Sequence, residues 1–370
     1  MGITGSIARR RITVAALFVV GVVAGCASGS RAQPDRTTAV VTSTAPSTPS
    51  GVPDLDVGEE IVGDIDVPWG LAFLPDGDAL VAERDTGRIL RVRPGHAPEQ
   101  VYEVPGVVAR GEGGLLGLAV ARDYAETRYV YAYFTAADDN RIVRLRLDGQ
   151  SEVIFDGIAK ANTHDGGRIA FGPDGMLYVG TGDAGDGGRA QDPASPNGKI
   201  LRLTPDGAAA PGNPTPGSPV YSLGHRNVQG LAWDQAGRLF AAEFGQNAFD
   251  EINLIEPGRN YGWPAVEGMG GADRGFTDPQ IVWKPAEASP SGIAIAGDTL
   301  YVAALRGERL WTVPLHDGTL GTPQARIPDL GRLRTVAIAP DGALWLTTSN
   351  TDGRGDVRAG DDRIIRFPAR

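Results

Sequence analysis

A chain of 370 residues is long enough for one large fold or two ordinary domains, and 52 glycines beside only three methionines favour a turn-rich, all-β architecture. A formal net charge of −10 argues against a nucleic-acid-binding surface. With one cysteine, an intrachain disulfide is excluded.

At the start of the chain Arg9-Arg10-Arg11 precede an apolar run from Ile12 to Gly25. That run is too short and wrongly flanked for a membrane span, so residues 1–25 are expected to be a signal peptide. Its end, Val23-Ala24-Gly25-Cys26, resembles a bacterial lipobox with Cys26 as the lipidation site, and the arginines also fit twin-arginine export. Residues 26–57 are rich in Ser, Thr, Pro and Ala, with hardly any large apolar side chains. Such a segment cannot bury enough surface to offset its ordering entropy, so a disordered tether is expected. The implied protein is an exported lipoprotein, on the outer face of the cell membrane or in the periplasm or cell envelope. It would touch membrane only through its N-terminal lipid.

Over residues 58–370 one unit recurs: a narrow apolar strand, a turn often spelled Pro-Asp-Gly, a second strand, a loop, and a third strand rich in Ile, Leu and Arg. Copies begin at Gly70, Gly117, Arg168, Gly230, Gly292 and Thr335, spaced about 43 to 62 residues apart, the range of a four-stranded blade with loop insertions. Six such copies predict a six-bladed β-propeller with four-stranded antiparallel blades. A strand over residues 59–67, ahead of the first copy, is expected to complete the last blade and remove the free edges of the ring.

In that topology the linker entering each innermost strand and the loop between second and third strands open onto one face. Entering linkers contribute Trp69, Glu112, His164, Arg226 with Asn227, residues 289–291, and Arg332 with Arg334; the loops contribute Glu83 to Asp85, Asp183, Gly245 to Asn247, and Arg306. His164 stands just before one short strand and Asp183 just after its hairpin partner, so the two are expected to meet as a base and its orienting acid. Converging arginines imply an anionic ligand, because guanidinium binds carboxylate or phosphate in a bidentate way. The segment from Gly245 to Glu251 offers carbonyls and carboxylates, the hard oxygen ligands calcium prefers. No nucleophilic triad, P-loop or dinucleotide fingerprint is present, and the histidines are too dispersed for a zinc site.

The segments Gly113-Gly114-Leu115-Leu116-Gly117, Gly224-His225-Arg226-Asn227-Val228-Gln229-Gly230, Asp250-Glu251-Ile252-Asn253-Leu254-Ile255 and Asn260-Tyr261-Gly262-Trp263-Pro264 together resemble the soluble glucose/sorbosone dehydrogenase family, which includes the aldose sugar dehydrogenases dependent on pyrroloquinoline quinone (PQQ). The resemblance implies a six-bladed propeller that oxidises the anomeric C1 hydroxyl of aldoses to lactones, with hydride passing to PQQ and electrons to an external acceptor. It implies His164 as general base, Asp183 as its orienting acid, and Arg226 with Asn227 as cofactor contacts. Arg332 and Arg334 match ligands of the cofactor carboxylates. The carbonyls of Gly245 and Gln246 and the side chain of Asp250 match a calcium (Ca2+) that polarises the quinone, and Glu251 with Tyr261 resemble a second, structural calcium site. Glu112 stands where glucose-oxidising relatives have Gln, Arg306 where they have Lys, and Thr163 and Gln246 where they have Asp and Pro. Two other readings of the same mouth stay open: a surface propeller that binds a glycan or protein without catalysis, and a calcium-dependent lactonase-type hydrolase.

Overall fold

The computed structural model describes Gly2 and residues 51–370. Cys26, the rest of the expected signal peptide and residues 26–50 of the expected tether lie outside the described residues. Among the described residues helix is confined to single turns, Tyr124–Thr127, Gly188–Gln191 and Ala272–Arg274.

The chain builds six antiparallel sheets in succession. From the inner strand outward, blade 1 is Pro68–Phe73, Ala79–Glu83, Arg88–Val92 and Glu99–Glu103; blade 2 is Leu115–Val120, Val130–Thr135, Asn140–Leu145 and Ser151–Ile158. Blade 3 is Ile169–Phe171, Leu177–Gly180, Lys199–Leu203 and Val220–Leu223; blade 4 is Val228–Trp233, Leu239–Glu243, Asp250–Ile255 and Ile281–Trp283. Blade 5 is Pro290–Ala296, Thr299–Ala304 and Arg309–His316, whose outer edge pairs with both Thr319–Leu320 and Gln324–Arg326. Blade 6 is Leu333–Ile338, Leu344–Thr348 and Ile364–Phe367, and its outer strand is Glu59–Val62 from the other end of the domain.

Inner strands of successive blades lie side by side, except that Val228–Trp233 of blade 4 lies against the second strand of blade 3, Leu177–Gly180, and Leu333–Ile338 of blade 6 also lies against Pro68–Phe73 of blade 1. The ring therefore closes as the repeat count requires. Glu59 pairs with Arg366 and Glu60 with Ile365, so chain start and chain end share one blade. Ordered chain reaches further towards the N-terminus than composition suggests. Residues 52–57, expected to belong to the tether, run along the C-terminus: Pro53 bridges Ala369 and the Asp54 amide donates to the Pro368 carbonyl at 2.7 Å.

The inner strands are narrow because the ring leaves them no room. A Cβ on Gly117 would lie 2.2 Å from the Gly167 carbonyl oxygen, and one on Gly230 only 2.4 Å from that of Ser291. Blade 3 carries Arg168 at the equivalent place. Its guanidinium crosses the channel, donating from Nε to the Gln229 carbonyl at 2.7 Å and from Nη2 to Thr335 Oγ1 at 3.0 Å, and lying 4.3 Å from the Trp69 ring centre. Burial pushes its pKa down to about 9.

Arg168 separates two mouths. On the Pro-Asp-Gly side a funnel of about 880 Å³ is lined by aliphatic inner-strand residues, among them Leu71, Leu118, Ile169, Leu231, Ile293 and Val336. Trp69 and Gln229, which Arg168 touches, line a cleft at the other mouth, where the polar side chains collect. The 880 Å³ funnel is thus not where the charged side chains gather.

Adding a methyl group at Gly117 is expected to push adjacent inner strands apart, at about 1–3 kcal/mol, lowering the melting temperature by roughly 2–5 °C. Gly188→Ala serves as control, since its Cβ would meet only Asp186 Oδ1 at 3.2 Å. Differential scanning calorimetry of both variants distinguishes crowding from loss of glycine as such.

Candidate active site

The hairpin of blade 3 sets the first pair. Ile169 pairs with Val179 and Phe171 with Leu177, so the residues flanking the hairpin converge, and His164 Nδ1 lies 2.7 Å from Asp183 Oδ1. Asp183 also accepts the Gly185 amide at 2.8 Å and, through Oδ2, Trp263 Nε1 at 2.8 Å. Burial would raise its pKa, but the hydrogen bond and charge of His164, with those two donors, hold it below the ordinary carboxylate value. An ionised Asp183 keeps the proton on Nδ1 and leaves Nε2 with the lone pair a general base needs. The histidine backbone is held in the left-handed region, φ 63°, and its amide donates to Glu112 Oε2 at 2.8 Å. A non-glycine residue in that region is strained, and the surrounding bonds maintain it.

A second group lies beside this pair. Arg226 comes from the linker into blade 4, with its guanidinium 5.3 Å from the Trp263 ring centre and its Nη1 donating to the carbonyls of Phe244 at 3.0 Å and Gly245 at 2.6 Å. Below it His225 is fully buried, bonded to Ser222 Oγ at 2.8 Å and Glu243 Oε1 at 2.9 Å, while Glu243 Oε2 takes the Arg226 amide at 2.8 Å. Two buried donors here have no acceptor among the described residues: Arg226 Nε and Asn227 Nδ2. Buried polar groups are normally paired, so the hydrogen bonding of these two donors is incomplete within the protein.

The cleft lined by Trp69, Arg84, Glu112, Gln229, Arg334, Asp352 and Arg354 completes the mouth. Arg332 and Arg334 converge on Asp352 Oδ2 at 2.9 and 3.3 Å, and Arg334 also donates to Gln229 Oε1 at 3.0 Å. Burial lowers the pKa of Arg334 to about 10, and it remains charged. Asp352 is raised by burial, yet Arg334 and Arg332 hold it below its ordinary value. Arg354 reaches Glu112 Oε1 at 2.9 Å.

In the 245–249 loop four consecutive amides, from Gln246 to Phe249, donate to Glu267 Oε1 at 2.7 to 3.0 Å. Asp250 braces the loop, its Oδ1 taking the Gly245 amide at 2.9 Å and its Oδ2 the Ser289 amide at 2.6 Å. Burial nevertheless pushes Asp250 up to about 6, against those two hydrogen bonds. Burial, and next the neighbouring Glu243, push Glu251 well above the ordinary carboxylate value. Among the described residues no cluster of three His, Cys, Asp or Glu side chains is arranged around a metal ion. A cation at this loop would therefore depend on backbone carbonyls, with the buried carboxylates supplying negative charge.

The structure thus joins His164, Asp183, Arg226, Asn227 and Glu112 into one network, with Arg332 and Arg334 at its edge. Arg306 is not drawn in: it is exposed, next to Leu305, which lines the cleft. Tyr261 shares a small cavity with Glu243, Glu251 and Glu267, but its hydroxyl donates to the Leu254 carbonyl at 2.6 Å and its ring stacks on His225. Sequence reasoning missed Asp352, Arg354 and Glu267 as site residues, along with the part played by Trp263. Asp352 and Arg354 sit in the long loop between the second and third strands of blade 6, which the repeat pattern already assigned to this mouth.

The glucose/sorbosone dehydrogenase family pattern matches residues 65–364, and the chain belongs to that family. It is accordingly an enzyme, an oxidoreductase. The PQQ-bound aldose sugar dehydrogenase of Streptomyces coelicolor is 54% identical, with a TM-score of 0.81 over 86% of this chain and all of that one. The aldose sugar dehydrogenase YliI of Escherichia coli strain K12 is 30% identical over 80% of this chain and 91% of its own length. The quinoprotein glucose dehydrogenase B of Acinetobacter calcoaceticus is 34% identical over 56% of this chain and 52% of its own length.

The raised carboxyls give a pH prediction. Because folded Asp250 binds its proton more tightly than the unfolded chain does, its stabilising contribution is complete below about pH 4 and is lost as pH rises through about 6; Glu251 acts in the same direction. In chelator, the melting temperature of wild type is expected to fall more steeply from pH 4 to 7 than that of Asp250→Asn. Equal slopes would remove Asp250 from this account.

Proposed function

We propose that this enzyme is a PQQ-dependent aldose sugar dehydrogenase that oxidises the anomeric hydroxyl of an aldose to the lactone. The observation that carries the reading is the pair of buried, unpartnered donors, Arg226 Nε and Asn227 Nδ2, beside a histidine already oriented by an ionised aspartate. That arrangement suits a ligand rich in oxygen acceptors placed next to a base. The PQQ-bound state of the Streptomyces relative supports the choice of ligand.

When bound, the quinone supplies a two-electron acceptor for hydride. His164 Nε2 takes the proton of the sugar C1 hydroxyl as the C1 hydrogen leaves with its electron pair, so that the sugar loses two electrons and two protons in all. Asp183 stabilises the imidazolium that forms, and Trp263 Nε1 keeps Asp183 in place. Arg226, buried and aimed into the mouth, stabilises negative charge that develops beside it. Arg332 and Arg334 provide the positive wall for the cofactor carboxylates, with Asp352 fixing their geometry. Calcium, which would supply a Lewis acid, would be held by the carbonyl oxygens of Gly245 and Gln246 beside Asp250, with Arg226 Nη1 releasing the hydrogen bond it makes to the Gly245 carbonyl at 2.6 Å. Glu251 is assigned to a second, structural cation site. Electrons then leave to an external acceptor. The segment around Cys26 is read as the export and lipidation signal that holds the enzyme in the cell envelope.

Two experiments test this. His164→Ala is expected to lower sugar-dependent dye reduction by at least about a hundredfold, while quinone binding, followed by tryptophan fluorescence, stays within a few fold of wild type. Unchanged turnover would take His164 out of the base role, and absence of quinone binding by wild type would overturn the cofactor assignment. Cys26→Ser is expected to move the protein from the membrane to the soluble fraction of the native host, and fractionation followed by immunoblotting reads the outcome.

A further inference from the structure

The cleft next to His164 is crowded with charge, and its acids are held by arginines in different ways. Asp85 pairs with Arg84 at 2.6 Å, and Asp352 lies between Arg332 and Arg334. Glu112 has one guanidinium partner, Arg354, whose Nη1 lies 2.9 Å from Oε1; its other oxygen, Oε2, holds the amide of His164 at 2.8 Å. Glu112 thus sits between two demands. It anchors the backbone of the base in a strained conformation, φ 63°, so the acceptor there cannot simply be absent. Yet an ionised carboxylate on the wall of an anion cleft opposes every anion that enters.

We propose that Arg354 is a charge-compensating residue of this cleft: it neutralises Glu112 so that the carboxylate can position His164 without repelling an anionic cofactor. The inference rests on the reading of the cleft as a quinone site. Arg354 suits the role by its position. It belongs to the blade 6 loop whose Asp352 grips Arg332 and Arg334, so a single short segment sets the charge on both walls of the cleft. Its side chain is 54% exposed whereas that of Glu112 is 15% exposed, so Arg354 can be altered without opening the core. Placement at the rim also makes its effect sensitive to ionic strength.

The test titrates quinone-free protein with pyrroloquinoline quinone, following tryptophan fluorescence, in low salt and in about 0.5 M salt, where charges more than a few ångströms apart are screened. Arg354→Ala is expected to weaken binding about tenfold relative to wild type in low salt, with the ratio shrinking towards one in high salt. Arg354→Lys is expected to bind within about threefold of wild type. The double variant Glu112→Gln with Arg354→Ala should return to within about threefold as well, because the glutamine carbonyl still accepts the His164 amide and carries no charge to neutralise. Melting temperatures of the quinone-free variants, expected to match wild type, show that folding is unaffected. Wild-type affinity in Arg354→Ala, or a double variant as weak as Arg354→Ala, overturns the inference and leaves the function standing. Failure of the wild-type protein to bind the quinone overturns both.

Discussion

Everything at the polar mouth depends on a few backbone hydrogen bonds in blade 6, those joining Glu59–Val62 to Ile364–Phe367. Peptide linkers join each blade to the next in the chain, but the first and last are held together only through the sheet they share, so the ring stays closed only if that last sheet contains strands from both ends of the domain. This closure brings Leu333–Ile338 against Pro68–Phe73 and lets Thr335 Oγ1 donate to the Trp69 carbonyl at 2.6 Å. Without it, Arg332 and Arg334 would not face the cleft that begins at blade 1.

Within the closed ring, charge is arranged in pairs rather than pooled. Asp85, Glu112 and Asp352 each hold at least one arginine, and each of the central arginines is fixed by a carboxylate or a carbonyl. Holding guanidinium groups in advance lowers the ordering cost when an anion arrives, and burial strengthens the interaction that follows. Burial also has a cost, visible in the lowered pKa of Arg226 and Arg334 and in the raised pKa of Asp250. Those opposing shifts share one cause, the loss of water around a charged group. Arg226 Nε and Asn227 Nδ2 are in addition left without hydrogen-bond partners among the described residues.

The histidine illustrates how strain and function meet. Its left-handed backbone is fixed by Glu112 at the amide, by the Ala184 amide, 3.2 Å from its carbonyl, and by Asp183 at the ring. Its neighbour Asp165 is locked by Asn140 and by the Ala161 amide, at 3.0 and 3.1 Å. The imidazole is thereby presented by a rigid turn with little freedom to rotate away, as the proposed proton abstraction at a defined atom would require.

The repeated strand pattern determined the number of blades, the mouth on which the linkers open and the approach of His164 to Asp183, because those follow from strand period and hairpin return, which are local properties. The same topology placed Arg226, Asn227, Arg332 and Arg334 in linkers opening on that mouth, where the folded chain gathers them, and family resemblance implied a role for each. Local pattern could not reveal Arg354 against Glu112, Asp352 between two arginines, or Glu267 beneath four amides. Each joins residues from different parts of the chain, and only packing brings them within 3.3 Å. For the same reason Arg306, placed in the right loop by topology, turned out exposed: a loop assignment selects the mouth, whereas side-chain direction depends on what packs against it. The sequence by itself therefore determined which face carries the chemistry, and tertiary structure alone decided which charges on that face are paired, because ion pairing depends on distances in space that strand period does not encode.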